Sequence, residues 1–123
     1  MAEKVQDYRD LKVWQRAMDL VPLTYRLVRN LPRHEQFSLT DQIRRSAVSV
    51  PANIAEGQAR KHTREFLQHL SIARGSLAEL HTLMLVAERL QYLTHEELTT
   101  IEQAIIDVRM PLSGLINRLQ ESA

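Results

Sequence analysis

Residues 66–87 read FLQHLSIARGSLAELHTLMLVA, and this stretch decides the fold class. Its apolar side chains recur at alternating intervals of four and three residues, which is the period of one face of an α-helix. The positions that follow this period are Phe66, Leu70, Ala73, Leu77, Leu80, Met84 and Ala87. Because the pattern runs for three heptads without a proline, it predicts a long third helix over about residues 63–91.

The same period predicts three more helices, at about residues 10–29, 39–59 and 95–120. Their expected core stripes are Leu11, Trp14, Met18, Val21, Tyr25 and Val28; then Leu39, Ile43, Ala47, Val50 and Ile54; and finally Leu98, Ile101, Ile105, Val108, Leu112, Leu115 and Leu119. Short connections between long helices favour antiparallel neighbours. The sequence therefore predicts one all-α domain over residues 1–123, an antiparallel up-down-up-down four-helix bundle, with a long two-helix or coiled-coil assembly as the alternative.

Local signals mark the helix ends and the two central glycines. Residues 94–97, Thr-His-Glu-Glu, form a capping box ahead of the fourth helix, and Ser38 with Asp41 resembles one ahead of the second. Gly57 lies near the end of the second helix, where glycine is well tolerated. Gly75-Ser76 lies inside the third helix and is expected to be a site of close helix packing, not a nucleophile.

Composition restricts the class of protein. Hydrophobic residues make up 44% and charged residues 25%, which is typical of a globular domain, and three glycines and four prolines favour few, long elements. The absence of cysteine excludes disulfides, thiolate metal sites and cysteine nucleophiles. Residues 1–7 lack the apolar run of a secretory signal, and no stretch approaches the roughly 18 apolar residues of a membrane span. A cytoplasmic protein without a membrane partner is therefore expected.

Charge is distributed unevenly along the chain. Residues 1–64 hold 12 of the 16 Lys and Arg residues and 7 of the 15 Asp and Glu residues, although the whole chain has a net charge of only +1. Such asymmetry can mark a side of the protein that binds a polyanion. The alternative is that the two halves of the bundle attract each other.

The second helix has a surplus of surface that its core stripe does not use. Small apolar residues form a second face, which predicts a homo-oligomer interface made of Val48, Ala52, Ala55 and Ala59. A third, polar side carries Arg45, Ser49, Asn53 and Glu56. This polar stripe is interpreted as a hydrogen-bonding platform for phosphates or another chain, with a solvated face or a network that fixes a subunit contact as the alternatives.

The sequence contains no catalytic constellation. No glutamate has a histidine three residues later, as the di-iron bundles require, and Gly-rich phosphate loops and nucleophile elbows are absent. His62, Glu65 and His69 share a helix face, but such single-helix pairs rarely hold a metal. We therefore expect no enzymatic activity, no metal site and no cofactor.

Several segments together resemble one known family. They are QIRRSAVSVPANIAEG at residues 42–57, LKVWQ at 11–15, Tyr25, Leu31-Pro32, EQF at 35–37 and IARGSLAEL at 72–80. These segments are similar to the bacterial four-helix bundle proteins encoded in intervening sequences of 23S ribosomal RNA genes, and the resemblance covers nearly the whole chain. It implies a ring-like homopentamer without enzymatic activity, for which nucleic-acid binding is the usual suggestion.

The predicted function is that of a non-enzymatic, homo-oligomeric nucleic-acid-binding protein, with RNA favoured over DNA. The expected contacts to nucleic acid are Arg44, Arg45, Asn53, Arg60, Lys61 and Arg64. The alternative is a structural or adaptor protein that binds another protein, such as an accessory subunit of a reverse transcriptase, since accessory proteins of diversity-generating reverse transcriptases share the fold that the resemblance implies.

Overall fold

The computed structural model describes residues 7–122, which form four helices: α1 Lys12–Val28, α2 Leu39–Ala59, α3 Thr63–Arg89 and α4 His95–Ser122. Short 3₁₀ turns at Tyr8–Asp10 and Arg33–Glu35 precede α1 and α2. No strand occurs in the described range, so the prediction of an all-helical chain with four helices is confirmed. Residues 1–6, which bear on the predicted lack of a secretory signal, lie outside that range. None of the four helices is both long and apolar enough to cross a membrane.

The helices are arranged as a square bundle. Each packs against two others, α1 and α3 both lying against α2 and α4. Paired side chains show that neighbours are antiparallel, because Ser49 and Asn53 of α2 meet Ser76 and His69 of α3 in reverse order. The α2–α3 pair is the most closely associated of the four.

The core is built from the predicted stripes of α2, α3 and α4. All five stripe residues of α2 are buried, and so are the α3 positions from Leu70 to Ala87 and the α4 positions from Leu98 to Leu115. Phe66 and Leu119 at the bundle end are half-buried. Full burial of one such aliphatic side chain stabilises a fold by about 1.5–3 kcal/mol, so these stripes hold the bundle together.

The predicted core stripe of α1 is largely wrong, because only Val28 of its six members is buried, while Leu11, Trp14 and Val21 are half-buried against the core. The buried residues of this helix are Val13, Ala17, Leu20, Thr24, Leu27 and Val28, whereas Met18 is 44% exposed and Tyr25 is 39% exposed. The predicted and the buried residues both recur at three- and four-residue intervals. Most members of one set are chain neighbours of members of the other, so the two stripes are about 100° apart around the helix. Periodicity therefore shows that α1 has two apolar stripes but does not show which stripe faces inward.

Close helix packing occurs at Gly57 rather than at Gly75. A Cβ atom on Gly57 would lie 2.7 Å from the Cβ of His69 and 3.0 Å from a ring carbon of Phe66, so only glycine allows α2 to approach α3 there. Gly75 is exposed, and a Cβ added to it would have no neighbour within 4 Å. The prediction of close packing at Gly75-Ser76 is therefore wrong for Gly75 within the protomer, whereas the Ser76 hydroxyl lies 2.8 Å from that of Ser49 on α2.

The two predicted capping boxes have different outcomes. At the start of α4, the Thr94 hydroxyl accepts from Glu97 N–H at 3.1 Å and the Glu97 carboxylate accepts from Thr94 N–H at 2.9 Å, as predicted. Ser38 makes no side-chain cap for α2, because its hydroxyl donates to the Glu35 carboxylate at 2.7 Å. The Tyr92 hydroxyl donates to the same carboxylate at 2.9 Å, which ties the α1–α2 connection to the residues after α3.

Candidate nucleic-acid interface

The polar stripe of α2 faces α3 in its central part. Ser49 and Ser76 share a hydrogen bond of 2.8 Å between their hydroxyls. The amide nitrogen of Asn53 donates to the backbone oxygen and the hydroxyl of Ser49, at 2.9 and 3.0 Å, and its amide oxygen lies 3.2 Å from His69 Nδ1. Asn53 is half-buried, and the protomer itself occupies its polar atoms. The structure therefore places this predicted nucleic-acid contact inside a network that joins α2 to α3.

The charged ends of the same stripe form ion pairs within the protomer. Arg45 Nε lies 3.1 Å from an Asp41 carboxylate oxygen. Arg60 lies 3.2 Å from Glu56 and 3.7 Å from Glu65. These exposed pairs contribute little to stability, about 0.2–1 kcal/mol each, but they reduce the positive potential around both arginines.

The connection between α2 and α3 is strongly basic, and we call residues 60–64 the basic turn. Arg60, Lys61, His62 and Arg64 are all exposed there. Within residues 7–122, no carboxylate lies within 4.0 Å of the Lys61 or Arg64 nitrogens. A surface cavity of about 330 Å³ beside the turn is lined by Arg60, Lys61 and His62 over an apolar floor. The basic turn therefore presents cations that are free to contact phosphates.

The start of α2 has a different surface, a cavity of about 540 Å³ that we call the aromatic cleft. Its lining residues include Tyr25, Phe37, Arg44, Arg45 and Val48. The Arg44 guanidinium lies 5.8 Å from the centre of the Tyr25 ring, at the distance of a cation–π interaction. Phe37 is 88% exposed, which is a large apolar area to leave in water.

The six predicted contact residues do not form one site within a protomer. Arg44 and Arg45 lie in the aromatic cleft, Asn53 lies in the network with α3, and Arg60, Lys61 and Arg64 lie in the basic turn. Sixteen residues of helix separate Arg44 from Arg60, which corresponds to about 24 Å. The chain thus has two separate candidate surfaces at opposite ends of α2.

The predicted oligomer interface lies on the outer side of α2. Val48, Ala52 and Ala59 are exposed and Ala55 is half-buried. The exposed Met18 and Tyr25 of α1 extend this apolar area, and Phe37 adjoins it through the aromatic cleft. We call these seven residues the α1/α2 apolar surface.

Sequence reasoning missed Met18, Tyr25 and Phe37 as members of this surface. It placed Met18 and Tyr25 in the core and left Phe37 in a connection between helices. The signal that could have found Met18 and Tyr25 was the second apolar stripe of α1, because two stripes on one helix mean that one of them remains uncovered. Helix periodicity gives no such signal for Phe37, which lies outside the helices.

Further exposed apolar residues lie on α3. Ile72, Val86 and Leu90 share one side of the helix, and we call them the α3 apolar surface, whereas the exposed Leu85 lies on the other side of the core stripe. The two surfaces differ in residue type and in the helices that carry them, so they are not copies of one another.

The described residues form no evident catalytic or metal-binding centre. Within residues 7–122, no three His, Asp or Glu side chains come together in a way that could hold a metal ion. His69, one of the three residues that share a face at the start of α3, contacts Asn53 instead.

Comparisons with known proteins agree with this architecture. The family model for the 23S rRNA-intervening sequence protein matches residues 9–114. The chain belongs to this family. A crystal structure from the S23 ribosomal protein family of Bacteroides thetaiotaomicron, itself described as a protein of unknown function, aligns with a TM-score of 0.77. That alignment has 23% sequence identity and covers 85% of this chain and 95% of the other, so it shows a shared fold. Among curated proteins, none matches the sequence significantly.

Proposed function

We propose that this family member is a non-enzymatic homo-oligomer that binds nucleic acid, preferentially RNA, through the basic turn. The observation that carries the proposal is the exposure of Lys61 and Arg64 on a helix–helix connection, without an ion-pair partner among the described residues. Arg60 and His62 add to the same surface. Cations of this kind displace condensed counterions from a phosphate backbone, which is the main source of affinity in sequence-independent binding.

The expected mode of binding is contact with phosphates rather than with bases. The basic turn has no exposed Phe, Tyr or Trp ring on which bases could stack, since its one ring is the His62 imidazole and Phe66 in the adjoining cavity is half-buried. Phosphate contacts position a protein on a strand but carry no sequence information. We therefore expect weak sequence preference and a steep dependence of affinity on salt.

Assembly into a ring would multiply this weak attraction. A closed ring requires two different complementary surfaces on every protomer, because each subunit contacts its neighbours head to tail. The α1/α2 apolar surface and the α3 apolar surface are two different exposed surfaces, which supports a head-to-tail arrangement, and the resemblance of the sequence to its family implies five subunits. Repeating the basic turn around a ring would raise the effective concentration of cations facing a strand.

The aromatic cleft supports a second candidate function, that of an adaptor for another protein. Phe37 and Tyr25 offer exposed rings, and aromatic residues and arginines are enriched at protein interfaces. The central polar stripe of α2 is not available for that role, because Ser49 and Asn53 contact α3. An adaptor would therefore use the cleft.

A fluorescence-anisotropy titration tests the proposed function. Nuclease-treated protein is titrated against single-stranded RNA, duplex RNA and duplex DNA, each at low and near-physiological salt. We expect saturable binding, strongest for RNA, that weakens steeply as salt is added. Absence of binding to every probe, by protein shown to be folded and assembled, would contradict the proposal and favour the adaptor function.

A further inference from the structure

The groove between α3 and α4 holds a group of basic side chains that the proposed function does not use. His81 of α3 meets Glu102 of α4, with 2.8 Å between His81 Nε2 and a carboxylate oxygen. This pair sets the register of the two antiparallel helices. Moving seven residues back along α3 and seven forward along α4 therefore leads to two residues at the same level, Arg74 and Arg109.

Arg74 and Arg109 line one cavity of about 220 Å³. Its floor contains the buried side chains of Leu77 and Ile105, and Ala78 lies between the two ends. The cavity runs from the two arginines towards His81, a distance of about 10 Å at the helical rise of 1.5 Å per residue. It is therefore a short groove with an apolar floor and two cations at one end.

Neither arginine has an acidic partner among residues 7–122. Residues three and four positions away from Arg74 and from Arg109 are all uncharged. In the described part of the chain, no carboxylate lies within 4.0 Å of either guanidinium. Arg45 and Arg60, in contrast, each have an acidic residue one helical turn away. Two like charges at one level of a helix pair repel each other. An anion between them would attract both arginines and outweigh that repulsion.

We propose that this groove binds a phosphate group between Arg74 and Arg109, with the body of the phosphate ester over Ala78 and Ile105. Guanidinium groups present a planar fork of donors that matches phosphate oxygens, and two of them can hold one phosphate from both sides. The site lies on α3 and α4, away from the basic turn, so it does not depend on the proposed function. The phosphate belongs either to a free phosphate ester or to a nucleic-acid strand.

Thermal unfolding of the full-length protein tests this site. The probes are inorganic phosphate, uridine 5′-monophosphate and a short single-stranded RNA, each compared with sodium chloride at equal ionic strength. The variants are Arg74→Gln and Arg109→Gln, with Arg89→Gln as the matched control, because Arg89 is an exposed α3 arginine outside the groove. We expect a phosphate-dependent rise in Tm for the wild type and Arg89→Gln that is lost in the other two variants.

The probe that raises Tm identifies the source of the phosphate. A response to inorganic phosphate or the nucleotide, lost with either groove arginine, supports a free phosphate ester as the ligand. A response to the RNA alone, lost in the same variants, supports a strand. No rise beyond that of sodium chloride, or an equal rise in all variants, overturns the proposal. Loss of RNA binding in a Lys61→Gln, Arg64→Gln double variant that keeps the phosphate response would show that the two sites act independently.

Discussion

The two ends of α2 carry the same residue type in different surroundings. At the start of the helix, Arg45 is paired with Asp41 and Arg44 lies over the Tyr25 ring, beside the exposed Phe37. At its end, Lys61 and Arg64 extend from a turn into solvent. The first surface combines aromatic rings with arginines that already have an intramolecular partner, and aromatic residues and arginines are enriched at protein interfaces. The second has cations without an ion-pair partner among residues 7–122, and such cations can form ion pairs with the phosphates of a flexible strand.

This difference shows why counting basic residues did not locate a single site. The first 64 residues hold most of the Lys and Arg side chains, but ion pairs and a cation–π contact occupy several of them. What distinguishes the ends of α2 is the partner of each cation.

The largest effect is expected from placing a charge in the α1/α2 apolar surface. Val48→Glu would bury a carboxylate against the neighbouring subunit, so we expect the assembly to dissociate into protomers of 14.3 kDa. Light scattering after size exclusion measures the mass. Thr100→Glu, an exposed position on α4, is the control and should leave the assembly intact. A wild-type protein that is already monomeric would show that the α1/α2 apolar surface is not an oligomer interface.

The next effect concerns the close approach of α2 to α3. Gly57→Ala forces its new Cβ against His69 and Phe66, and we expect a loss of about 1–3 kcal/mol in the free energy of unfolding. Gly75→Ala has open space and should stabilise the protomer by about 0.5–1 kcal/mol through helix propensity. Urea unfolding measures both. Equal effects of the two substitutions would mean that α2 and α3 are not in close contact at Gly57.

A smaller effect is expected in the middle of α2. Asn53→Ala removes the hydrogen bonds to Ser49 and His69, and we expect a loss of about 1 kcal/mol in stability with no change in nucleic-acid affinity. Gln68→Ala, at an exposed position of α3, is the control for amide removal. If Asn53→Ala weakened RNA binding at unchanged stability and mass, Asn53 would be a ligand contact after all.

The smallest effect is a dependence of stability on acid. Hydrogen bonds from Ser38 and then Tyr92 lower the pKa of Glu35 below its ordinary value, and the Thr94 backbone N–H does the same for the pKa of Glu97. A lowered pKa in the folded state means that this stability is present above the ordinary pKa of a glutamate, about 4.3, and is lost as pH falls through the lower folded-state pKa. Glu35→Gln should therefore flatten the acid limb of a Tm–pH curve. Glu79→Gln, at an exposed α3 position, should not, and identical curves for the two variants would contradict this assignment.

The helices were predictable from the sequence because apolar residues at alternating three- and four-residue intervals match only one regular secondary structure, the α-helix. The α2, α3 and α4 stripes were placed correctly because each of these helices has one clearly dominant line of large apolar residues. In α1, two stripes compete, and the choice between Ala17 and Met18 depends on which side α2 and α4 occupy. The positions of α2 and α4 around α1 depend on the tertiary structure, and the spacing of apolar residues along α1 does not reveal them.

The candidate site was less predictable than the fold. Spacing on α2 showed that Ser49 and Asn53 share a side, but it could not show that Ser76 and His69 of α3 lie opposite them. The pairing of Arg74 with Arg109 likewise depends on the register between α3 and α4, which a His81–Glu102 contact reveals. Contacts between residues distant in the chain decided both cases.

If the two ends of α2 differ in function, substitutions at the two ends should affect RNA affinity differently. RNA affinity is followed against salt for the wild type, for Lys61→Gln with Arg64→Gln, and for Arg44→Gln with Arg45→Gln, all at equal assembled mass. We predict that the turn variant loses about tenfold or more in affinity and has a salt slope lower by about 1.4 per contacting protomer, while the cleft variant keeps both. A turn variant that keeps its affinity and salt slope, or a cleft variant that loses at least as much affinity as the turn variant, would contradict this difference between the two ends.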